Sequence, residues 1–161
     1  GLSWFRDTGY AQLIEEIAKT EGFKPIAVIF NLGVNDLGNA GNYVSYMTSI
    51  ASTLKSKNCK LFYMSVNPIN STMITKSGRG ARTEAQVREF NSKIRSGLSL
   101  DYKYIDMYSV LMKKGYGTNA SYNGTDADSD DGLHYTTKTF KRIYYYCITY
   151  LNTGSINASY Y

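Results

Sequence analysis

The sequence predicts an α/β fold: a three-layer α/β/α sandwich built on a parallel sheet with helices on both faces. Three observations predict it. Short apolar runs the length of a buried strand alternate with longer stretches of helical period. The first of those runs ends in Asn and Gly, as a strand feeding a loop does. Nothing along the chain repeats or forms a long linker. Strands that alternate with helices need crossover connections, and crossovers make the sheet parallel.

Asp7 or Thr8 can cap a first helix over residues 9–21, with Leu13, Ile14 and Ile17 on one face. Ile26–Asn31 follows as a buried parallel strand. Asn42 can cap a second helix over 43–57, in which Tyr43, Tyr46, Met47, Ile50 and Leu54 share a face. Lys60–Val66 is a second strand, and 67–82 is a polar loop holding Pro68 and the Gly78–Arg79–Gly80 turn. Glu84–Leu98 reads as a helix with Val87, Phe90 and Ile94 inward. Tyr102–Met107 is a third strand, Tyr108–Lys114 a short helix, and 115–133 a loop rich in Gly, Asn and Asp. Thr137–Asn152 is the last helix, with Phe140, Ile143, Tyr144, Cys147 and Leu151 on its inner side. Residues 153–161 form a polar tail expected to fray, so 1–161 is read as one domain.

Composition narrows the function classes. Hydrophobic residues make up 43% and charged residues 19%, a globular balance. No apolar run reaches the ~18 residues that would span a membrane. The net charge of +5 comes from scattered Lys and Arg, without the dense basic runs and interleaved aromatics of a nucleic-acid surface. His134 is the only histidine and no Cys-x-x-Cys occurs, so no metal-ligand cluster is expected. Cys59 and Cys147 are either two buried thiols or one disulfide.

In open parallel sheets, ligands bind beyond the carboxyl ends of the strands. After the first strand comes Gly33–Val34–Asn35–Asp36. Glycine permits a tight turn, and the Asn35 amide can then donate to an oxyanion. Taken alone, such a segment is in most proteins simply a turn held by side-chain hydrogen bonds. Before the last helix comes Asp131–Gly132–Leu133–His134–Tyr135–Thr136. That spacing lets a carboxylate hold one ring nitrogen of the histidine protonated and leave the other free as a base. Alone, it also describes a surface histidine in a loop made acidic by Asp126, Asp128 and Asp130.

Together, and in this order, the two segments resemble the SGNH hydrolases, also called GDSL esterases. Gly33–Asp36 resembles the family's third sequence block and Asp131–His134 its fifth. Residues 85–94 (AQVREFNSKI), 104–111 (YIDMYSVL) and 133–136 (LHYT) also read like the family, so the resemblance spans essentially the whole chain. It implies that Asn35 donates to the oxyanion, that His134 is general base and then general acid, and that Asp131 orients it. It further implies acyl transfer to a serine and hydrolysis by water, without metal or cofactor.

The family's first block, Gly-Asp-Ser, carries the nucleophile and is absent here, as is any Gly-x-Ser-x-Gly. Gly1–Leu2–Ser3 resembles it only superficially: Leu2 stands where Asp is needed, and too few elements separate Ser3 from Asn35. Gly1 matches the second-block glycine better, whose backbone N–H is another oxyanion donor. The nucleophile is then expected upstream of Gly1, and the first two strands of the family's sheet are missing. Such a sheet would expose an edge at Ile26–Phe30, to be covered by an N-terminal segment of the same protein or by a second copy.

Polar loops rich in Tyr and the lack of an apolar lid-like segment favour a small acyl group such as acetyl, carried on a carbohydrate. Asn-x-Ser/Thr sequons at Asn70, Asn119, Asn123 and Asn157 lean the location towards the cell exterior. The alternative is a binding module that kept the fold and lost its serine. A flavodoxin-like phosphate binder would need Gly, Ser and Thr loops after the strands, and residues 67–82 are only faintly of that kind.

Overall fold

The computed structural model describes residues 1–20, 22–116 and 132–156. The chain forms two compact units: Gly1–Ser65 with Phe90–Tyr104, and Val66–Glu89 with Ile105–Tyr161.

The first unit carries the sheet. Strands β1 (Ile26–Phe30), β2 (Cys59–Met64) and β3 (Tyr102–Ile105) lie in the order β1–β2–β3, all parallel. The register between the first two runs from Ile26 opposite Cys59 to Phe30 opposite Tyr63. The fold is therefore α/β with a parallel sheet, as the alternation of strand and helix predicts. β1 is an edge strand among the described residues.

The first helical stretch starts earlier than Asp7 or Thr8. It opens with α1 (Leu2–Trp4), widens through a π turn over Phe5–Gly9, and continues as α2 (Tyr10–Lys19). Asp7 is not a cap; its carboxylate pairs with the Arg6 guanidinium at 2.7 Å. The reason is packing. Phe5 is buried and meets Phe30 and Tyr46 edge-on, with ring centroids 5.6 and 6.0 Å apart. Gly9 lies under that turn, where a Cβ would come within 2.9 Å of both the Trp4 and Phe5 rings. This glycine marks a close approach inside a helix rather than a helix start.

Helix α3 (Ala40–Ser56) turns Tyr43, Met47, Ile50 and Leu54 inward at helical spacing. Tyr43 meets Phe90 edge-on at 5.3 Å, and the Tyr102 hydroxyl donates to the Met47 carbonyl at 2.6 Å. Asn58, in a left-handed conformation that Asn tolerates, lets the chain reverse from α3 into β2.

In the second unit, the segment expected to be a polar loop holds a helix, α4 (Ser71–Lys76). Its cap is the Asn70 side chain, which accepts from the Met73 N–H at 3.1 Å. Asn70 is only 1% exposed, so this sequon presents no amide for glycosylation in the folded chain. The sequons at Asn119, Asn123 and Asn157 lie outside the described residues.

Helix α5 (Glu84–Gly97) buries Val87, Phe90 and Ile94 completely. It opens with a reciprocal cap: the Gln86 side chain accepts from the Thr83 N–H, and the Thr83 hydroxyl accepts from the Gln86 N–H. Helix α6 (Met107–Lys113) is capped by Asp106.

Helix α7 (Thr137–Thr153) begins at a Thr136 cap and ends at Gly154 in the left-handed region. Its inward face differs from the expected one. Thr139, Ile143, Tyr146 and Cys147 are buried, whereas Phe140 and Tyr144 are 52% and 60% exposed. Two overlapping stripes of apolar residues run along this helix, and periodicity alone does not choose between them. The Thr139 hydroxyl, hydrogen-bonded to the Tyr116 hydroxyl at 3.0 Å, belongs to the stripe that faces in. Cys59 and Cys147 are both buried free thiols.

Several phenols are held neutral by the fold. Burial raises Tyr43, Tyr63 and Tyr102 above the ordinary phenol range. Burial and then the hydrogen bond to Glu84 push Tyr108 up to about 12. Unfolded tyrosines ionise near pH ~10, so above that pH the unfolded chain releases protons that the native chain keeps. The stabilisation is complete below pH ~10 and is lost as pH rises through the native values. Urea unfolding from pH 8 to 11 is expected to show falling stability above pH ~10, with these phenols ionising at 295 nm only as the chain unfolds. Stability that stays flat to pH ~11 would refute this.

Candidate active site

The loop after β1 is tied down before it turns. The Asn31 amide donates to the Ser65 carbonyl at 2.8 Å, and the Tyr63 hydroxyl donates to the Leu32 carbonyl at 2.9 Å. Gly33 then takes φ of 125°, a region that L side chains avoid, and its carbonyl accepts the Asp36 N–H at 2.8 Å. Val34 and Asn35 are the central residues of that turn, and Asn35 is exposed.

Asp36 joins this turn to the N-terminal segment. Its Oδ2 accepts the Leu2 N–H at 2.8 Å and the Tyr43 hydroxyl at 2.6 Å. Gly1 therefore lies against the turn so closely that a Cβ on it would stand 2.2 Å from Asp36 Oδ2. Residues 34 positions apart in the chain meet here. Gly1, Gly33, Asn35 and Asp36 are thus gathered within the first unit. Ser3 sits one residue beyond Leu2, inside the first helical turn, and is exposed.

The bond from Tyr43 is partly buried and charge-assisted, which makes it strong. Removing the carboxylate in Asp36→Ala would free the Leu2 N–H and strand a fully buried phenol hydroxyl, at an expected cost of about 2–4 kcal/mol. Tyr43→Phe removes one donor and leaves the Leu2 bond, so about 1 kcal/mol is expected. Urea denaturation of both variants checks the pair. Equal losses, or a loss below ~0.5 kcal/mol for Asp36→Ala, would show that the carboxylate does not hold the segment.

His134 is exposed in the second unit, between two anchors. On one side the Gly132 carbonyl accepts the Asn70 N–H at 2.9 Å. On the other the buried Tyr135 hydroxyl donates to the Pro68 carbonyl. The Tyr135 ring also meets Tyr116 and Phe140 edge-on, at 5.8 and 6.1 Å. Gly132 has φ of 73° and presses on the start of α4, where a Cβ would lie 2.5 Å from the Asn70 carbonyl oxygen. Asp131, the expected orienting carboxylate, lies outside the described residues.

In the sequence alone, Gly132 and Tyr135 had no role of their own within the Asp131–Thr136 segment, and Tyr43 and Asn70 had none in the site. Tyr43 read as core and Asn70 as part of a loop.

The sequence model of the GDSL-like lipase/acylhydrolase family matches residues 5–146. The chain belongs to this family. The matched range takes in the Gly33–Asp36 turn and His134, and stops short of Gly1 and Ser3. Searches of curated proteins and of solved structures returned no match. The GDSL family performs esterase- and lipase-type hydrolysis, so membership makes this chain a hydrolase of that broad class. Among the described residues, no helix is long and apolar enough to cross a membrane.

Proposed function

We propose that this GDSL-family chain is a serine esterase that removes a small, acetyl-like acyl group from a carbohydrate through an acyl-enzyme. The observation that carries this reading is the Asp36 bridge, which sets Gly1 beside the turn bearing Asn35. A backbone N–H and a side-chain amide in one unit are the two kinds of donor that an oxyanion needs.

In this reading a serine oxygen attacks the ester carbonyl while His134 takes its proton. Asn35 and Gly1 donate to the oxygen that becomes negative, and Asp131 orients the imidazole. The C–O bond to the sugar then breaks, and His134 returns its proton to the leaving alcohol. Water repeats the attack on the acyl-enzyme and gives its proton to His134; the bond from the serine oxygen to the acyl carbon then breaks as His134 returns that proton to the serine, which frees the acid. The open side of β1 is where another segment of the protein, or a second copy, would pair. Polar, Tyr-rich loops support the extracellular reading.

The absence of a Gly-Asp-Ser segment favours one alternative, a binding module of the same fold without a nucleophile. A fluorophosphonate serine trap followed by intact mass and peptide mapping separates the two. One adduct is expected. Located on Ser3, it would give this segment the nucleophile; on a longer form alone, it would place the serine upstream of Gly1. No adduct on either form would overturn the esterase reading. Faster cleavage of long-chain than of acetyl esters would overturn the choice of acyl group.

A further inference from the structure

Within the first unit, the helical turn over residues 2–6 and the segment 36–46 enclose an open cavity of about 500 Å³. That lies within the ~300–1,000 Å³ range of small-molecule sites. Leu2 and Asp36 line it, and they are the two residues whose hydrogen bond fixes Gly1 against the Asn35 turn. The remaining lining residues are Ser3, Arg6, Asn39, Asn42, Ser45 and Tyr46.

The chemistry of this lining is specific. Amides and hydroxyls each donate and accept, as the hydroxyls of a sugar do. A hydrocarbon chain laid over them would take polar groups out of water without giving them partners. The charged groups are already engaged: Arg6 is paired with Asp7 through two contacts, at 2.7 and 3.3 Å, and the Asp36 carboxylate accepts two hydrogen bonds. An anion would meet the Asp36 carboxylate and a cation would meet Arg6, so a neutral ligand suits the cavity best. Tyr46 supplies a flat apolar surface whose plane is set by edge contacts with Phe5 at 6.0 Å and Tyr10 at 6.4 Å. The C–H face of a sugar ring is a natural partner for such a surface.

We propose that this cavity is the subsite for the alcohol portion of the ester, and that it takes a neutral, polyhydroxylated sugar ring. As an ester subsite it rests on the esterase reading; as a sugar site it does not. The placement puts the leaving alcohol next to the oxyanion donors, with Asn39, Asn42 and Ser45 reading its hydroxyls and Tyr46 under the ring.

The test titrates the full chain with neutral hexasaccharides of xylose, glucose, mannose and N-acetylglucosamine, and with octanoate as the apolar probe. It follows the side-chain amide resonances of Asn39 and Asn42 by 15N NMR. At least one hexasaccharide is expected to shift both amides saturably. Asn42→Ala and Tyr46→Ala are each expected to weaken that binding about tenfold, as loss of one good contact does. If no hexasaccharide moves these amides, or octanoate moves them and the sugars do not, the proposal is overturned. Hydrolysis of 4-nitrophenyl acetate is measured in parallel. Hydrolysis without sugar binding overturns the subsite and keeps the esterase. Sugar binding without hydrolysis, measured on a longer form that includes the segment upstream of Gly1, keeps the sugar site and overturns the esterase reading.

Discussion

His134→Ala is expected to lower ester hydrolysis about 10³-fold or more, because it removes the group that takes the serine proton and returns it to the leaving alcohol. The same change is expected to leave stability within about 0.5 kcal/mol, since the ring is exposed and contributes little packing. The two effects belong together. The backbone on either side of the residue is anchored through the Gly132 carbonyl and the Tyr135 hydroxyl. Steady-state kinetics on an acetyl ester and urea unfolding of the same preparations read both, in the form of the protein that the serine trap labels. A loss of activity below about tenfold would remove His134 from the base role. A loss matched by unfolding would make it a structural residue.

Gly132→Ala is expected to be the most destabilising single-methyl change near the site. Two costs add. At φ of 73° an alanine pays for the left-handed conformation, about 1–2 kcal/mol. Its Cβ would also meet three atoms that are not free to move: the Asn70 carbonyl oxygen at 2.5 Å, the Ile74 nitrogen at 2.9 Å and the Met73 Cβ at 2.9 Å. Overpacking of this kind costs about 1–3 kcal/mol. The sum, about 2–5 kcal/mol, corresponds to a fall in Tm of roughly 4–20 °C for a chain of this size. Gly154 provides the control, because its φ is 75° and no atom lies within 4 Å of the Cβ position. Gly154→Ala should show only the conformational cost, about 1–2 kcal/mol. Similar losses for the two variants would mean that Gly132 does not pack against α4 as described. Because Gly132 precedes His134 by two positions, Gly132→Ala is also expected to reduce activity in the protein that remains folded.

Legibility in the sequence followed the range of the interactions. Ile26–Phe30 and Cys59–Met64 were readable as strands because they are short apolar runs between turn residues. The inward triad Val87, Phe90 and Ile94 was readable because α5 has one apolar stripe on an otherwise polar helix. The last helix has two such stripes, so that of the expected inward residues Ile143 and Cys147 are buried while Phe140 and Tyr144 are exposed. The first helical stretch starts before the expected Asp7 or Thr8 cap, because the burial of Phe5 extends the helix to Leu2 and Gly9 lets the Trp4 and Phe5 rings approach. Helix α4 was missed because it is short and its Asn70 cap sits in a run that reads as a loop.

The sequence by itself determined the α/β class, the position of a glycine-led turn after the first strand, and the presence of His134 just before the last helix. Each of these depends on neighbours a few residues away: the period of apolar positions, the backbone freedom of glycine, the capping of a helix start. Only the tertiary structure decided that Asp36 binds the Leu2 N–H and so brings Gly1 to the Asn35 turn, and that the segment after β2 clamps residues 132–135. Those contacts join residues tens of positions apart. Local pattern does not encode which distant donor meets which carboxylate; the packing of the folded chain selects it.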